Sequence, residues 1–431
     1  MKTAIVLYIS KGGSVMYIKR YVEQTILDAA ASFPCIVIYG PRQVGKSTTI
    51  NMLFGDKIPM VTLDDAEERA LAINNPRLFL EQYGWPVIID EIQKAPNLLD
   101  EIKIKIDEQR LVWLRNNEKR QIMYILTGSN RFELQEGISD SLAGRCGVIE
   151  MLSLSQAEKY AYPNNLFSAD IQKLIELERS KKISYRTRRE IYQDIFNGGM
   201  PDIFTGISKR DIYFKAYVDT YIEKDVRKLI AASSEMQFRN FISIVALRTA
   251  QELHYDEIAR NVGIDVRTCK KWISILETSG IIYLLQPYMA NISNRIIKAP
   301  KMYFLDTGLC AYLCKWPNAE MLEKCAMSGA FYETYIVSEL VKNFYAHGKT
   351  PKDFLFYYRD TDQKEIDLLY VDGSNICPIE IKQGIAPKKA TKNFSVLNKY
   401  HLNITTGLVI DSCDKIRPIN EQTYYIPVYL I

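Results

Sequence analysis

The chain reads as an α/β protein whose N-terminal part is a doubly wound parallel sheet. Three observations predict this. Apolar runs of strand length alternate with helix-compatible segments from residue 16 to about 155. A glycine-rich loop joins the first of these strands to a helix, and a later strand ends in two adjacent carboxylates. The chain has 431 residues, too many for one ordinary core, so two to four domains are expected.

The first strand is Cys35-Ile-Val-Ile-Tyr39, and the loop after it is Gly40, Pro41, Arg42, Gln43, Val44, Gly45, Lys46 and Ser47, with Thr48 opening the next helix. This is the G-x-x-x-x-G-K-S pattern in the order strand, loop, helix. Its glycines let backbone N–H groups turn inward on phosphate oxygens, and the helix N-terminus adds a partial positive charge. Lys46 is expected to reach the β- and γ-phosphates of ATP, and Ser47 to hold Mg²⁺. The strand Val87-Ile-Ile-Asp90-Glu91 supplies a second metal-side residue in Asp90 and, in Glu91, a base for the attacking water. Further candidate strands are 59–63, 121–126 and 148–152. The third of the motif strands ends in Thr127-Gly-Ser-Asn130, where Ser129 or Asn130 can touch both the γ-phosphate and the water. Arg145, in Ser141-Leu-Ala-Gly-Arg145, is a candidate arginine finger in cis or for a neighbouring subunit; the alternative is a surface arginine closing a turn.

Bulk properties narrow the class. Hydrophobic residues make up 47% and charged residues 25%, as in a soluble globular protein, and no apolar run approaches a membrane span. A net charge of +4 permits local nucleic-acid contacts without implying them. Eight cysteines without a C-x-x-C pair and only three histidines argue against zinc and for reduced thiols in the cytoplasm. Residues 1–15 are expected to be a start-site artefact, because Lys11-Gly12-Gly13 can be encoded by AAAGGAGG, a ribosome-binding sequence, and Met16 opens an amphipathic segment over 17–31.

Beyond residue 155 the pattern becomes helical, and residues 156–235 are expected to form a lid. In 236–295 a short helix at 255–262, the turn residue Gly263, the N-cap Asp265 and a second helix at 266–276 spell a winged helix-turn-helix. Arg267, Thr268, Lys270 and Lys271 fall on its outer face, a DNA-binding face or equally a structural or protein-docking one. In the last part, Asp367 lies on one strand, and Glu380 and Lys382 lie two apart on the next, hence on one face. Such a set can hold a divalent metal and activate water, and Glu333 on the preceding helix can add a carboxylate. The arrangement resembles the PD-(D/E)xK restriction-endonuclease-like fold; an edge hairpin with solvated charges is the plainer alternative.

Over residues 16–431 the chain resembles prokaryotic AAA+ superfamily ATPases whose C-terminal part is domain of unknown function 4143. The resemblance rests on residues 40–47, 87–91, 126–130, 141–145, 198–201, 217–225, 303–309 and 365–382. It implies an ATPase core at 16–155, a lid at 156–235, a winged helix at 236–295 and a nuclease-like domain at 296–431. No second-sensor arginine is assigned in the lid. The leading expectation is a Mg²⁺-dependent ATPase switch or motor acting on nucleic acid, in a homo-oligomer if Arg145 works in trans. The alternatives are an ATP-gated nuclease with a second divalent metal at its own site, and a non-catalytic scaffold ordered by ATP.

Overall fold

The computed structural model describes residues 17–129, 141–180, 182–221, 235–288, 299–400 and 403–431. Residues 1–15 and Asn130 lie outside these. The chain divides into two compact units, the first made mainly of the residues up to Leu154. Its sheet contains β1 (Cys35–Tyr39), β2 (Met60–Thr62), β3 (Val87–Asp90), β4 (Tyr124–Gly128) and β5 (Cys146–Glu150), in the order β2-β3-β4-β1-β5. Every pairing is parallel. All five residues of β1 and of β4 are buried, because strands inside a parallel sheet are covered on both faces and cannot alternate apolar with polar. Helices Val22–Ser32, Lys46–Phe54 and Leu98–Asn116 supply cover, and the core runs from Cys35 and Val37 through Ile89 to Leu126.

Two strands differ from the sequence reading by about two residues. β5 begins at Cys146, since its register with β1 pairs Cys35 with Cys146 and Tyr39 with Glu150. As an edge strand it leaves Val148 51% exposed, so its apolar run does not mark its ends. β4 begins at Tyr124, after Met123 N–H has donated to Pro34 O at 2.7 Å.

The second unit holds most residues from Ser155 to Ile431. Helices Glu235–Ala246, Tyr255–Val262 and Val266–Thr278 accompany a three-stranded antiparallel sheet of β6 (Gln251–Glu252), β7 (Ile282–Leu285) and β8 (Lys301–Phe304), ordered β6-β8-β7. The expected division at 295/296 cuts through this sheet, because β8 pairs with β7 from Ile282↔Phe304 to Leu285↔Lys301. Asp265 caps the helix that follows it, accepting from Thr268 N–H at 2.9 Å, and Trp272 packs edge-on against Phe238 and Phe241. Gly198 has φ +76°, and a Cβ there would stand 2.3 Å from Asp306 Oδ1, so the Gly198-Gly-Met-Pro201 turn and the 303–309 motif close on each other.

The remaining strands are β9 (Leu355–Arg359), β10 (Glu365–Asp372), β11 (Asn375–Ile381), β12 (Asn403–Ile404), β13 (Gly407–Asp411), β14 (Arg417–Asn420) and β15 (Thr423–Pro427). The path is β14-β15-β13-β11-β10-β9, with β12 on β11. β9, β10 and β11 form an antiparallel meander, whereas β11–β13 and β13–β15 are parallel. The 19-residue helix Ser328–Ala346 precedes the meander, and Phe331, Ile336 and Leu340 on it are fully buried.

Candidate nucleotide site and a second acidic centre

A parallel sheet delivers the ends of all its strands to one edge, and the phosphate-loop residues gather there. Gly40 follows β1 with φ +152°, and a Cβ on it would meet the Met151 carbonyl oxygen at 2.0 Å. Arg42, Gln43 and Val44 carry the loop onward, with Gln43 at φ +60° and Gly45 at φ +96°, before Lys46 starts its helix with Ser47 and Thr48. Lys46 Nζ is buried and donates to the carbonyls of Gly40 at 2.8 Å and Pro41 at 2.7 Å. Arg20 braces the loop from behind, donating to Val44 O and Leu152 O at 2.7 Å each. The sequence carries no local signal for Arg20, which belongs to no motif.

Ser47 Oγ donates to Asp90 Oδ1 at 2.9 Å, which joins the loop after β1 to the end of β3. Between these two strands stands β4, and its Thr127 hydroxyl donates to the same Asp90 oxygen. Glu91 follows Asp90 with φ +59°, a left-handed conformation that costs a non-glycine residue about 1–2 kcal/mol and turns it out of the strand. Gln93 Nε2 donates to its carboxylate, Ser129 Oγ donates to it at 3.3 Å, and Gln93 also reaches Ser129 Oγ at 3.1 Å. Ser129 is thus the described member of the Ser129/Asn130 pair beside Glu91. Thr127 and Gln93 are additions the sequence reading missed. Thr127 reaches Asp90 because β4 pairs with β3, Ile89 opposite Leu126, which puts the next residue of each strand side by side.

A hydroxyl and a carboxylate this close suit Mg²⁺, which takes one or two protein oxygens and keeps several waters. Ser47 and Asp90 therefore fit that ion.

Arg145 corrects one expectation. It immediately precedes Cys146, which pairs with Cys35 at the start of β1, while the phosphate loop follows the far end of β1. The five residues of β5 put about 16 Å between it and its own loop at 3.3 Å per residue. That excludes a finger in cis. Its guanidinium instead grips Asp107 with two bonds of 2.7 Å, which hold the Asp107 carboxyl below its ordinary range.

In the second unit, Asp367 on β10 and Glu380 on β11 are brought together with Lys382. Lys382 Nζ lies 2.7 Å from Glu380 Oε1 and 3.2 Å from Asp367 Oδ2, and Asp367 Oδ2 also accepts from Ile381 N–H at 2.8 Å. Burial, then the charge of Asp367, pushes the Glu380 carboxyl up to about 7. Glu380 Oε2 is buried without a hydrogen-bond partner. Glu333 faces elsewhere: it accepts from Tyr303 OH at 2.7 Å and pairs with Lys301 Nζ at 3.1 Å. Burial raises the Glu333 carboxyl, with Asp367 acting in the same direction. Lys301, unremarked in the sequence, pairs with Glu365 as well, at 2.5 Å. Each carboxylate pair thus already surrounds an ammonium group, and among the described residues no three His, Cys, Asp or Glu side chains converge to hold a metal ion. A second divalent metal does not fit this arrangement.

All eight cysteines are free, and among the described residues no helix is long and apolar enough to cross a membrane.

Comparison with known families matches residues 32–160 to an AAA domain, 188–320 to a domain of unknown function (DUF8612) and 328–431 to a domain of unknown function (DUF4143). Two proteins described as uncharacterized, from Mycobacterium bovis and Mycobacterium tuberculosis, are each 25% identical over 360 residues, covering 82% of this chain and 71% of theirs. Among solved structures, a Walker-type ATPase of Pyrococcus abyssi aligns at 12% identity over 71% of this chain and 98% of its own, with a TM-score of 0.41. DnaA from Aquifex aeolicus bound to AMPPCP aligns at 16% identity over 59% of this chain and 85% of its own, with a TM-score of 0.26.

Proposed function

We propose that this chain, an AAA-type ATPase that ends in a domain of unknown function 4143, couples Mg²⁺-dependent ATP hydrolysis to a switch or motor action on nucleic acid. The observation that carries the ATPase reading is the 2.9 Å bond from Ser47 to Asp90, with Thr127 on the same carboxylate, because it closes the phosphate loop onto the carboxylate strand.

With a triphosphate in residues 40–47, the Lys46 ammonium has phosphate oxygens to donate to in place of the Gly40 and Pro41 carbonyls. Ser47 and Asp90 would hold Mg²⁺, which when bound neutralises charge on the β- and γ-phosphates. Glu91, steadied by Gln93 and Ser129, takes a proton from water as its oxygen attacks the γ-phosphorus. The bond from that phosphorus to the β,γ-bridging oxygen breaks, leaving ADP and inorganic phosphate.

Action on nucleic acid is supported by the order of helices Tyr255–Val262 and Val266–Thr278 beside the β7–β8 pair, which is that of a winged helix. Arg267, Lys270 and Lys271 are exposed on the second of these helices. A nuclease-like reading of the C-terminal part has its own support: a helix, the β9-β10-β11 meander, then a strand parallel to β11, with Asp367, Glu380 and Lys382 clustered on it. Arg145, too far from its own loop, is read as serving a neighbouring copy.

The test is ATP binding and turnover by the full chain beside Lys46→Ala and Glu91→Gln. Lys46→Ala is expected to lose tight binding. Glu91→Gln is expected to keep binding and lose about 10²–10⁴ in turnover. Equal turnover in wild type and Glu91→Gln overturns the assignment, and binding without turnover in wild type leaves an ATP-ordered scaffold.

A further inference from the structure

In the second unit, helices Arg210–Tyr221, Glu235–Ala246 and Thr307–Leu313 line a cavity of about 410 Å³, within the range that small organic ligands occupy. Its apolar wall is Val218, Ile242 and Leu313, each buried. Its polar side comes from the chain that leaves the third helix. Lys315 stands there at φ +58°, and Trp316 N–H donates back to Ala311 O at 3.1 Å, a left-handed helix cap that glycine usually fills. The cap ends the helix and brings Lys315 and Trp316 to the cavity. The indole Nε1–H of Trp316 is buried without an acceptor, which is costly to leave so. The other cations of the wall are matched. Arg210 donates to the Phe196 and Gly308 carbonyls and to Asp211, while Arg239 lies between Asp219 and Glu235, and Lys215 shares Asp219. Lys315 has no carboxylate partner among the described residues, so these groups carry one positive charge in excess.

We propose that this cavity binds an organic monoanion, a carboxylate carried on an apolar body. The carboxylate oxygens take the Trp316 indole N–H and the Lys315 ammonium, and the body lies against Val218, Ile242 and Leu313. One unmatched charge and one unmatched donor suit a group with a single charge and two acceptor oxygens. A phosphate dianion brings a second negative charge that the wall does not balance. The same chemistry has two sources, a free organic acid or the C-terminus of a polypeptide whose last side chain is apolar. The site shares no residue with the phosphate loop or with the Asp367, Glu380 and Lys382 cluster, so it stands or falls independently of both.

The experiment is ¹H–¹⁵N spectroscopy of the full chain, labelled at its four tryptophans, with Trp316→Phe identifying the Trp316 indole signal. 4-Phenylbutyrate is expected to move that signal downfield with a Kd of about 1 mM, the scale for so small a ligand. 4-Phenylbutan-1-ol, which keeps the apolar body without the charge, is expected to leave it in place. Lys315→Met, a change at an exposed position, is expected to weaken the acid about tenfold or more. A second pair of probes is acetyl-Ala-Leu-Phe with a free C-terminal carboxylate, and its amide. The peptide acid binding more tightly than 4-phenylbutyrate assigns the site to a chain terminus, and weaker binding assigns it to a free acid. The proposal is overturned if neither acid moves the Trp316 signal, if the alcohol moves it as far, or if Lys315→Met binds the acids as tightly as wild type. Should Trp316→Phe not fold, calorimetric titration of the same ligands into wild type and Lys315→Met decides by the same outcomes.

Discussion

Replacing Gly40 by alanine puts a methyl carbon 2.0 Å from the Met151 carbonyl oxygen, where at least 3.0 Å is needed. Neither side can yield cheaply. Met151 is 1% exposed, and its N–H donates to Tyr39 O at 2.9 Å, continuing the β1–β5 ladder past its last pair. Relief therefore means moving one strand end by about 1 Å and giving up that bond, at about 1 kcal/mol. Overpacking adds about 1–3 kcal/mol, and a φ of +152° about 1–2 kcal/mol for any residue with a Cβ. The sum is ~3–6 kcal/mol, or roughly 10–20 °C in the melting of the first unit. Calorimetry of the full chain, read on the transition that ATP shifts, measures this, and a fluorescent ATP analogue measures the displaced loop. Gly144→Ala is the control, with φ +69° but nothing within 4 Å of its Cβ, so only strain of about 1–2 kcal/mol remains. If Gly40→Ala costs no more than Gly144→Ala and leaves nucleotide affinity unchanged, the contact argument is wrong.

Two further outcomes are expected. Thr127→Val removes the buried hydroxyl that donates to Asp90, a bond to a charged group worth about 1.5–3 kcal/mol, so the folded state loses about that much and ATP turnover, which needs Asp90 held in place, falls with it; unchanged melting and unchanged steady-state turnover refute the role. Arg145→Ala breaks a partly exposed pair with Asp107, so stability changes by about 1 kcal/mol or less. If Arg145 serves a neighbour, turnover per chain falls about 10³-fold at concentrations where chains associate, with ATP binding intact, and an unchanged concentration dependence removes that role.

The nucleotide site was legible because its chemistry is local. A phosphate loop needs glycines, a lysine and a hydroxyl within eight consecutive residues, and its partner carboxylates need only end an apolar strand, so Lys46, Ser47, Asp90 and Glu91 declare themselves in one dimension. The meander that carries Asp367, Glu380 and Lys382 is similarly local, being three strands joined by short turns. What depends on which strands become neighbours was not legible. The order β2-β3-β4-β1-β5 sets Thr127 between the loop and Asp90 and sends Arg145 to the opposite edge, and neither follows from spacing along the chain. Arg20 braces Val44 and Leu152 from outside any motif, as Lys301 enters the acidic centre from another sheet. Sequence patterns record periodicity and short-range chemistry. Tertiary packing alone decides which distant charge is buried beside which, because that choice follows from how whole sheets exclude water together.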